Sequence, residues 1–393
     1  MKKVNYNIIV FVCSVILIFT GWFSVAFLEK IKDAVVDFCE KPNFSQFVTN
    51  IDDASKQLSY KGVLIDISSY ANYLSNTRIV EKSDTTIVRL DNGYLNFVSN
   101  GLDDETLEGM ADKTYDLKIV ADELKIPLIY VMAPTKSYFD SYPATSRNEF
   151  RESFNKYADL LNERGIDVVN LGKEMEKSNI SMEEAFFITD HHWTPETGLW
   201  ATNKICEYLY ENYGFVYDSK ILEFSNYGVE IYQDIFLGSQ GKKVGQYFTP
   251  LGLDDISLLT PKFDTSLTVT DVKGTRSGKF EETIVNKSYF NTKNLYYSNP
   301  YVAYSGGDFP LQVIKNHLED NDGEKILLLR DSYACVVAPF LSLTTESLHT
   351  IDVRHWTGTE NAKTVIDYIR LEKPDYIVIL YSDLIPTLLN FNN

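Results

Sequence analysis

EKILLLRDSYACVVAPFL, residues 324–341, decides how the chain folds. ILLL shows no polar alternation, which suits a strand buried on both faces of a parallel sheet. Arg330, Asp331 and Ser332 follow directly, and YACVVAPFL reads as the start of a helix. In such a sheet, ligands gather at the carboxyl ends of the strands. Ser332 would stand there as a nucleophile. The N–H of Tyr333 would face an oxyanion formed at its Oγ, and the helix start would add partial positive charge. Asp331-Ser332 also suits an ordinary helix cap, the commoner use of this pair.

The same alternation extends on both sides. PDYIVILYS (374–382) and IPLIYVMAP (126–134) are further apolar strands, and GIDVVNL (165–171) and SLHTIDVR (347–354) add two more. Helical patterns fill 103–124, 146–163, 195–212 and about 360–371. Strand and helix in turn predict a parallel sheet with helices on its faces. Residues 61–100 read as short strands, GVLIDISS, TTIVRL and YLNFVS, with Asp91-Asn92-Gly93 as a hairpin turn. Between 216 and 320 the alternation stops. FVYDSKILEFSNYGVEIYQDIF, GQYFTP, SLTVTDV and NLYYSNPYVAYSGGDF read as a β-rich insertion. The expected organisation is an anchor over 1–30, a stalk and N-terminal α/β segment over 31–115, and an α/β domain over 116–215 and 321–393. The insertion over 216–320 divides that domain.

Lys2-Lys3 precede an uncharged, mostly apolar run, Ile8 to Leu28. Its 21 residues would span roughly 30 Å as a helix, one hydrocarbon core. The flanking charges predict a cytoplasmic N-terminus and an extracytoplasmic remainder. Ser24-Val25-Ala26 offers a cleavage site, which would make the product secreted. The formal net charge of −18 argues against nucleic acid as a partner. Cys39, Cys206 and Cys335 show no metal spacing and leave a single disulfide open.

Two of the 5 histidines lie in ITDHHWTPETG, 188–198. Thr194 suits a helix N-cap and Pro195 the first turn. In an extended loop, residues two apart point the same way. Asp190 can then accept from His192 Nδ1 and leave Nε2 free as a base for a serine such as Ser332. Packing of His191 and Trp193 with a carbonyl-bonded His192 is an alternative. A metal cage is another, since Asp and His are good ligands, but the remaining histidines form no HxH or HExxH pattern. Metal and cofactor are therefore not expected. His355, beside Asp352 and next to a strand end, is a rival base. Lys136 and Arg354, also at strand ends, are candidate oxyanion or substrate contacts. GGD (306–308) and GSQGKK (238–243) are candidate glycine loops of the site, and plain turns are the alternative.

TDHHWTPETG, with YVMAPTKSYFDSYP upstream and LLLRDSYACVVAPFL, TIDVRHW and PDYIVILYS downstream, resembles the bacterial DHHW protein family. That family is similar to the alginate O-acetyltransferase accessory proteins with SGNH-hydrolase-like domains. The resemblance runs from about residue 60 to the C-terminus and is weakest in the insertion. It implies a flavodoxin-like SGNH sheet and a catalytic Asp-x-His followed by a later serine, falling on Asp190, His192 and Ser332. It implies an O-acetyltransferase that works beside a membrane-bound O-acyltransferase and acetylates a cell-surface polysaccharide. An acetylesterase with the same residues, or a non-catalytic polysaccharide-binding subunit, are the alternatives. The chain departs from the SGNH pattern at the nucleophile, where Arg330 stands in place of glycine.

Overall fold

The computed structural model describes residues 25–40, 46, 50, 61–99, 101–139, 149–318, 323–382, 384 and 389–391. The chain forms two compact units, residues 1–76 and residues 77–393. In the first, helices α1 (Val25–Glu40) and α2 (Lys61–Leu74) are described. GVLIDISS therefore lies in a helix, not a strand. Val63, Ile67 and Leu74 recur four and seven residues apart, a helical period that outweighs the β-branched composition. The apolar run Ile8–Leu28 lies almost wholly outside the described residues. Among the described residues no helix is long and apolar enough to cross a membrane.

The second unit opens with an antiparallel sheet of β1 (Ile79–Glu81), β2 (Thr86–Arg89) and β3 (Leu95–Phe97). The expected hairpin turn joins β2 to β3, with Gly93 at φ +90° donating its N–H to Leu90 O. Helix α3 (Asp104–Leu124) follows, its first turn capped by the Asp103 carboxylate.

The main sheet holds eight strands in the order β5-β4-β13-β11-β12-β10-β8-β9. They are β4 (Leu128–Met132), β5 (Asp167–Asn170), β8 (Leu267–Asp271), β9 (Gly274–Gly278), β10 (Gln312–Asn316), β11 (Lys325–Arg330), β12 (Ser347–Ile351) and β13 (Tyr376–Tyr381). The five from β5 to β12 are parallel, as expected. The other three run antiparallel along one edge, so the sheet is mixed. Residues 216–320 thus contribute both to this edge and to a separate pair, β6 (Tyr227–Phe236) with β7 (Asp254–Pro261). GQYFTP holds a tight turn of 3-10 helix, and NLYYSNPYVAYSGGDF holds another over Pro300–Ala303, where strands were expected. Their Gly, Asn and Pro residues break a strand ladder.

The unbroken apolar strands are explained by the two cores. Ile326, Leu328, Val378 and Leu380 face one cluster, with Trp193, Leu199 and Ile205 around helix α5 (Pro195–Tyr213). Leu327, Leu329, Ile377 and Ile379 face the other, with residues of α3, of α4 (Phe150–Glu163) and of α6 (Val365–Glu372). Both faces are covered, which is why Ile326–Leu329 and Ile377–Leu380 are apolar without a break. The carboxyl ends of β4, β11, β12 and β13 lie along one edge of the sheet and lead into Lys136, Ser332, Arg354 and Ser382.

Candidate active site

The ITDHHW stretch is a loop closed on itself. Phe186 and Trp193 form an isolated antiparallel bridge, and the Phe187 N–H donates to His192 O. Thr194 caps α5 and Pro195 occupies its first turn, as expected. Asp190 and His192 come out of this loop on the same side. The His192 N–H donates to Asp190 Oδ1 at 3.0 Å, and the imidazole Nδ1 lies 2.5 Å from the same oxygen. Nδ1 beside a carboxylate carries the proton, which leaves Nε2 as an acceptor.

That acceptor meets Ser332 Oγ at 2.8 Å. Ser332 opens a 3-10 turn, Ser332–Val336, directly after β11. Asp331 caps the turn. Its Oδ1 accepts from the Tyr333 N–H at 2.9 Å, and its Oδ2 accepts from the Ser382 N–H and hydroxyl at 2.7 and 2.8 Å. The Tyr333 N–H is thus already engaged, which corrects its expected role as a free oxyanion donor: the cap that shapes the turn consumes it. Tyr333 instead ties the two loops together. Its hydroxyl donates to His191 O, and its carbonyl accepts from Trp193 Nε1 at 2.9 Å.

The electrostatics suit this chain of bonds. Asp190 is 3% and His192 7% exposed. Burial alone would raise the Asp190 pKa. The two imidazoles and the Ser239 N–H, which donates to Oδ2 at 2.6 Å, outweigh burial and hold the carboxyl well below its usual range. Burial pushes the His191 pKa down to about 3, helped by repulsion from His192, so His191 is neutral at physiological pH. The His191 Nδ1 lies 2.7 Å from Ser239 Oγ. The His192 ring rests against His191 at 3.8 Å and Tyr301 at 4.1 Å between centroids, the latter nearly parallel at 17°.

The other candidates sit differently. His355 is exposed and lies with Asp308 and Asp352, their ligand atoms within 4.8 Å of one another. Ser332 is met by His192, not by this rival. Arg354 binds Asp352 through Nε at 2.9 Å and Nη2 at 2.6 Å, and reaches Asp308 at 3.4 Å. The buried Arg330 pairs with the same Asp308 and donates to Gly307 O at 2.9 Å. Lys136 is fully buried and donates to Phe187 O and Gln240 Oε1 at 2.9 and 3.0 Å. A side chain enclosed in this way meets no ligand from solvent, which corrects its expected place as a substrate contact. Cys206 and Cys335 are buried free thiols.

Among the described residues, metal ligation has two candidate sets, Asp190-His191-His192 and Asp308-Asp352-His355. In the first, both His192 nitrogens are already hydrogen-bonded. In the second, two guanidinium groups already neutralise the carboxylates. The candidate loops GSQGKK and GGD bring Gly238, Ser239 and Asp308 to the site, whereas Tyr301, stacked on His192, carried no sequence signal. A Cβ on Gly238 would fall 2.2 Å from the Asp190 Cβ, so only glycine lets this loop reach the carboxylate. A cavity of about 260 Å³, lined by Asn96, Phe97, Thr135, Ser137, Phe150 and His191 among others, opens beside the motif.

Comparison with known proteins agrees with this architecture. Residues 103–216 match the family described as the SGNH hydrolase-like domain of the acetyltransferase AlgX. The matched stretch holds Asp190 and His192, and Ser332 lies beyond it. The structure of Bacillus cereus PatB1 with a sulfonyl adduct is 20% identical with a TM-score of 0.64, covering 79% of this chain and 99% of that one. A DHHW family protein from Eubacterium siraeum is 18% identical with a TM-score of 0.55, covering 77% of this chain and 91% of that one. No curated protein matches the chain in sequence. The resemblance drawn from the DHHW and DSY motifs therefore holds, and the sheet is an SGNH-like α/β fold.

Proposed function

Starting from an SGNH hydrolase-like domain, we propose that the chain is an O-acetyltransferase that carries an acetyl group on Ser332 and delivers it to a hydroxyl of a cell-surface polysaccharide. The observation that supports this is the unbroken relay Asp190–His192–Ser332, with bonds of 2.5 and 2.8 Å. His192 Nε2 takes the Ser332 hydroxyl proton as Oγ attacks the acetyl carbonyl carbon of the donor. The tetrahedral adduct collapses, the donor oxygen leaves with that proton, and acetyl-Ser332 remains. A sugar hydroxyl then gives its proton to Nε2 and attacks the ester. Collapse returns the proton to Ser332 Oγ and releases the acetylated sugar. Asp190 holds the imidazole in the required tautomer and balances the imidazolium that forms.

The N-terminal apolar run and the likeness to the SGNH hydrolase-like domain of AlgX support the setting. The domain works outside the cytoplasm on an Ile8–Leu28 anchor, or free if the segment is cleaved. A membrane-bound O-acyltransferase supplies the acetyl donor side. Arg354, accessible at the end of β12 next to the nucleophile strand, is the side chain we assign to the substrate.

The test is an activated acetyl ester with the purified domain. Ser332→Ala should lose at least about 10³-fold in rate, as removal of a nucleophile does elsewhere. It should also abolish covalent labelling by a sulfonyl fluoride. Full activity or labelling in Ser332→Ala would refute the nucleophile. Acetyl gain on an oligosaccharide identifies a transferase, whereas acetate release alone identifies an esterase.

A further inference from the structure

A charge buried away from water has to be hydrogen-bonded or paired. Two such charges stand behind the relay with no role in the proposed chemistry. Lys136 is 0% and Asp254 3% exposed. Among the described residues they form no direct ion pair with each other. They grip the same stretch of backbone instead.

Lys136 Nζ donates to Phe187 O at 2.9 Å, to Ile188 O at 3.4 Å and to Gln240 Oε1 at 3.0 Å. Asp254 accepts from the Ile188 N–H, and its Oδ2 accepts from the Thr189 N–H at 2.8 Å and the Thr189 hydroxyl at 2.5 Å. Thr189 Oγ1 in turn accepts from the Gly238 N–H at 2.8 Å, and Thr189 O accepts from the Gly241 N–H at 2.9 Å. The Leu95 N–H donates to Ile188 O. Every backbone polar group of Ile188 and Thr189 is therefore held. The next residue is Asp190, and the residue after Gly238 is Ser239, whose N–H holds Asp190 Oδ2.

Three acceptors around Nζ call for three protons on the nitrogen, and three donors on Asp254 call for an ionised carboxylate. The network is built for both charges. Burial works against each of them, lowering the Lys136 pKa and raising that of Asp254. Apolar residues would fill the same space without that penalty.

We propose that Lys136 and Asp254 are positioning residues: they clamp the peptide 187–189 from its carbonyl and amide sides so that the Asp190 carboxylate meets His192 Nδ1 in line. The clamp rests on the relay proposed above. It acts through Asp190 and touches no substrate.

The decisive variants are Lys136→Met, Asp254→Asn and the paired K136M/D254N, which removes both charges at similar volume. Thr189→Val is a milder break that keeps shape and removes only the hydroxyl bridge. Each folded variant is expected to lose about 10- to 100-fold in kcat, since small misplacements cost that much, with KM within about 2-fold. The far-downfield proton resonance of the His192 Nδ1–H, a direct report on the short bond to Asp190, should be lost or move upfield. In an Asp190→Asn background the clamp variants should cost little more, because they act through the missing carboxylate. A scaffold role alone would lower Tm yet leave kcat and the resonance of the folded fraction unchanged, and that result overturns the proposal. So does a Lys136→Met loss that adds in full to that of Asp190→Asn. Failure of the relay itself reads differently: Ser332→Ala would stay active and label normally whatever the clamp variants do.

Discussion

Gly198 is where the serine and histidine halves of the site press together, and replacing it with alanine tests how closely they must approach. It lies in the first turns of α5, just after the DHHW loop. A Cβ there would fall 2.2 Å from Val336 O and 2.6 Å from Val336 Cγ2. Val336 closes the 3-10 turn that Ser332 opens. Ordinary contact begins near 3.4 Å, so the helix and the turn must separate by about 1.2 Å along that direction. The nearest atom is backbone, so no rotamer change relieves the clash. If even half of the displacement reaches Ser332, the 2.8 Å bond to His192 passes the usual hydrogen-bond limit of about 3.2 Å. A misplacement of about 1 Å costs on the order of 10²-fold in rate, and overpacking costs about 1–3 kcal/mol in stability. The assay is kcat/KM on an activated acetyl ester, with urea unfolding in parallel. Gly109→Ala is the control: it lies within α3, and an added Cβ there meets nothing within 4 Å. That variant should keep full activity and gain up to about 1 kcal/mol from helix propensity. Gly198→Ala within about 3-fold of wild type in kcat/KM would refute the reasoning, because the two halves would then tolerate separation.

Asp190→Asn should keep the fold and lower kcat by about 10³- to 10⁴-fold, because an amide no longer selects the tautomer with Nδ1 protonated; ester hydrolysis by the purified variant measures it, and a loss below about 10-fold would show that the carboxylate is dispensable. His191→Gln should make the protein less sensitive to acid. The folded-state pKa of His191 is depressed to about 3, against about 6.5 in the unfolded chain. The unfolded state therefore binds more protons between those values, and the stability that neutral His191 contributes above pH 6.5 is lost as pH falls through that window. The slope amounts to at most about 1.4 kcal/mol per pH unit, trimmed by screening because 30% of the side chain is exposed. Urea midpoints between pH 7 and pH 4.5 should fall less steeply in the variant, and parallel curves would remove His191 from the account.

Much of the site was legible because strand ends and helix starts announce themselves locally. IPLIYVMAP, EKILLLR and PDYIVILYS carry unbroken apolar runs, and each became a central parallel strand. Thr194-Pro195 marked the helix start, and the i, i+2 spacing of Asp190 and His192 placed both on one side of the loop. What was not legible depended on long-range pairing. Nothing in SLTVTDV says that it joins the main sheet and not the pair β6–β7, because an isolated short strand fits either. GVLIDISS has strand composition with helical spacing, and the spacing prevailed. Lys136 sits at the predicted strand end, but local sequence does not show that Gln240 and the Phe187 carbonyl enclose it. GSQGKK and GGD looked like turns and are turns. Their contribution comes from close approach to Asp190 and Arg330 across more than twenty residues in one case and nearly fifty in the other, which spacing alone does not express.

Cap and nucleophile are two readings of Asp331-Ser332, and the geometry accommodates both. A helix cap needs one side-chain acceptor for the first free N–H groups of the turn. Asp331 supplies it, with one oxygen on Tyr333 N and the other on Ser382. Had Ser332 been the cap, its oxygen would have been committed to backbone and unavailable to an imidazole. Because the acid before it takes that duty, the hydroxyl is left for His192. The same division of labour holds in the other loop, where Thr194 caps α5 and leaves Asp190 to orient the imidazole. In each half a neighbouring residue takes the helix or turn cap, which leaves Ser332 free for His192 and Asp190 free to bond the imidazole along with the His192 and Ser239 N–H groups. Asp331→Asn separates these duties: its amide nitrogen cannot accept, so either the Tyr333 N–H or the Ser382 donors lose their partner. Ser332 would then compete as the cap, and its sulfonyl labelling should slow while the Asp190–His192 resonance stays in place. Loss of that resonance together with labelling would mean that the two loops do not divide their duties in this way.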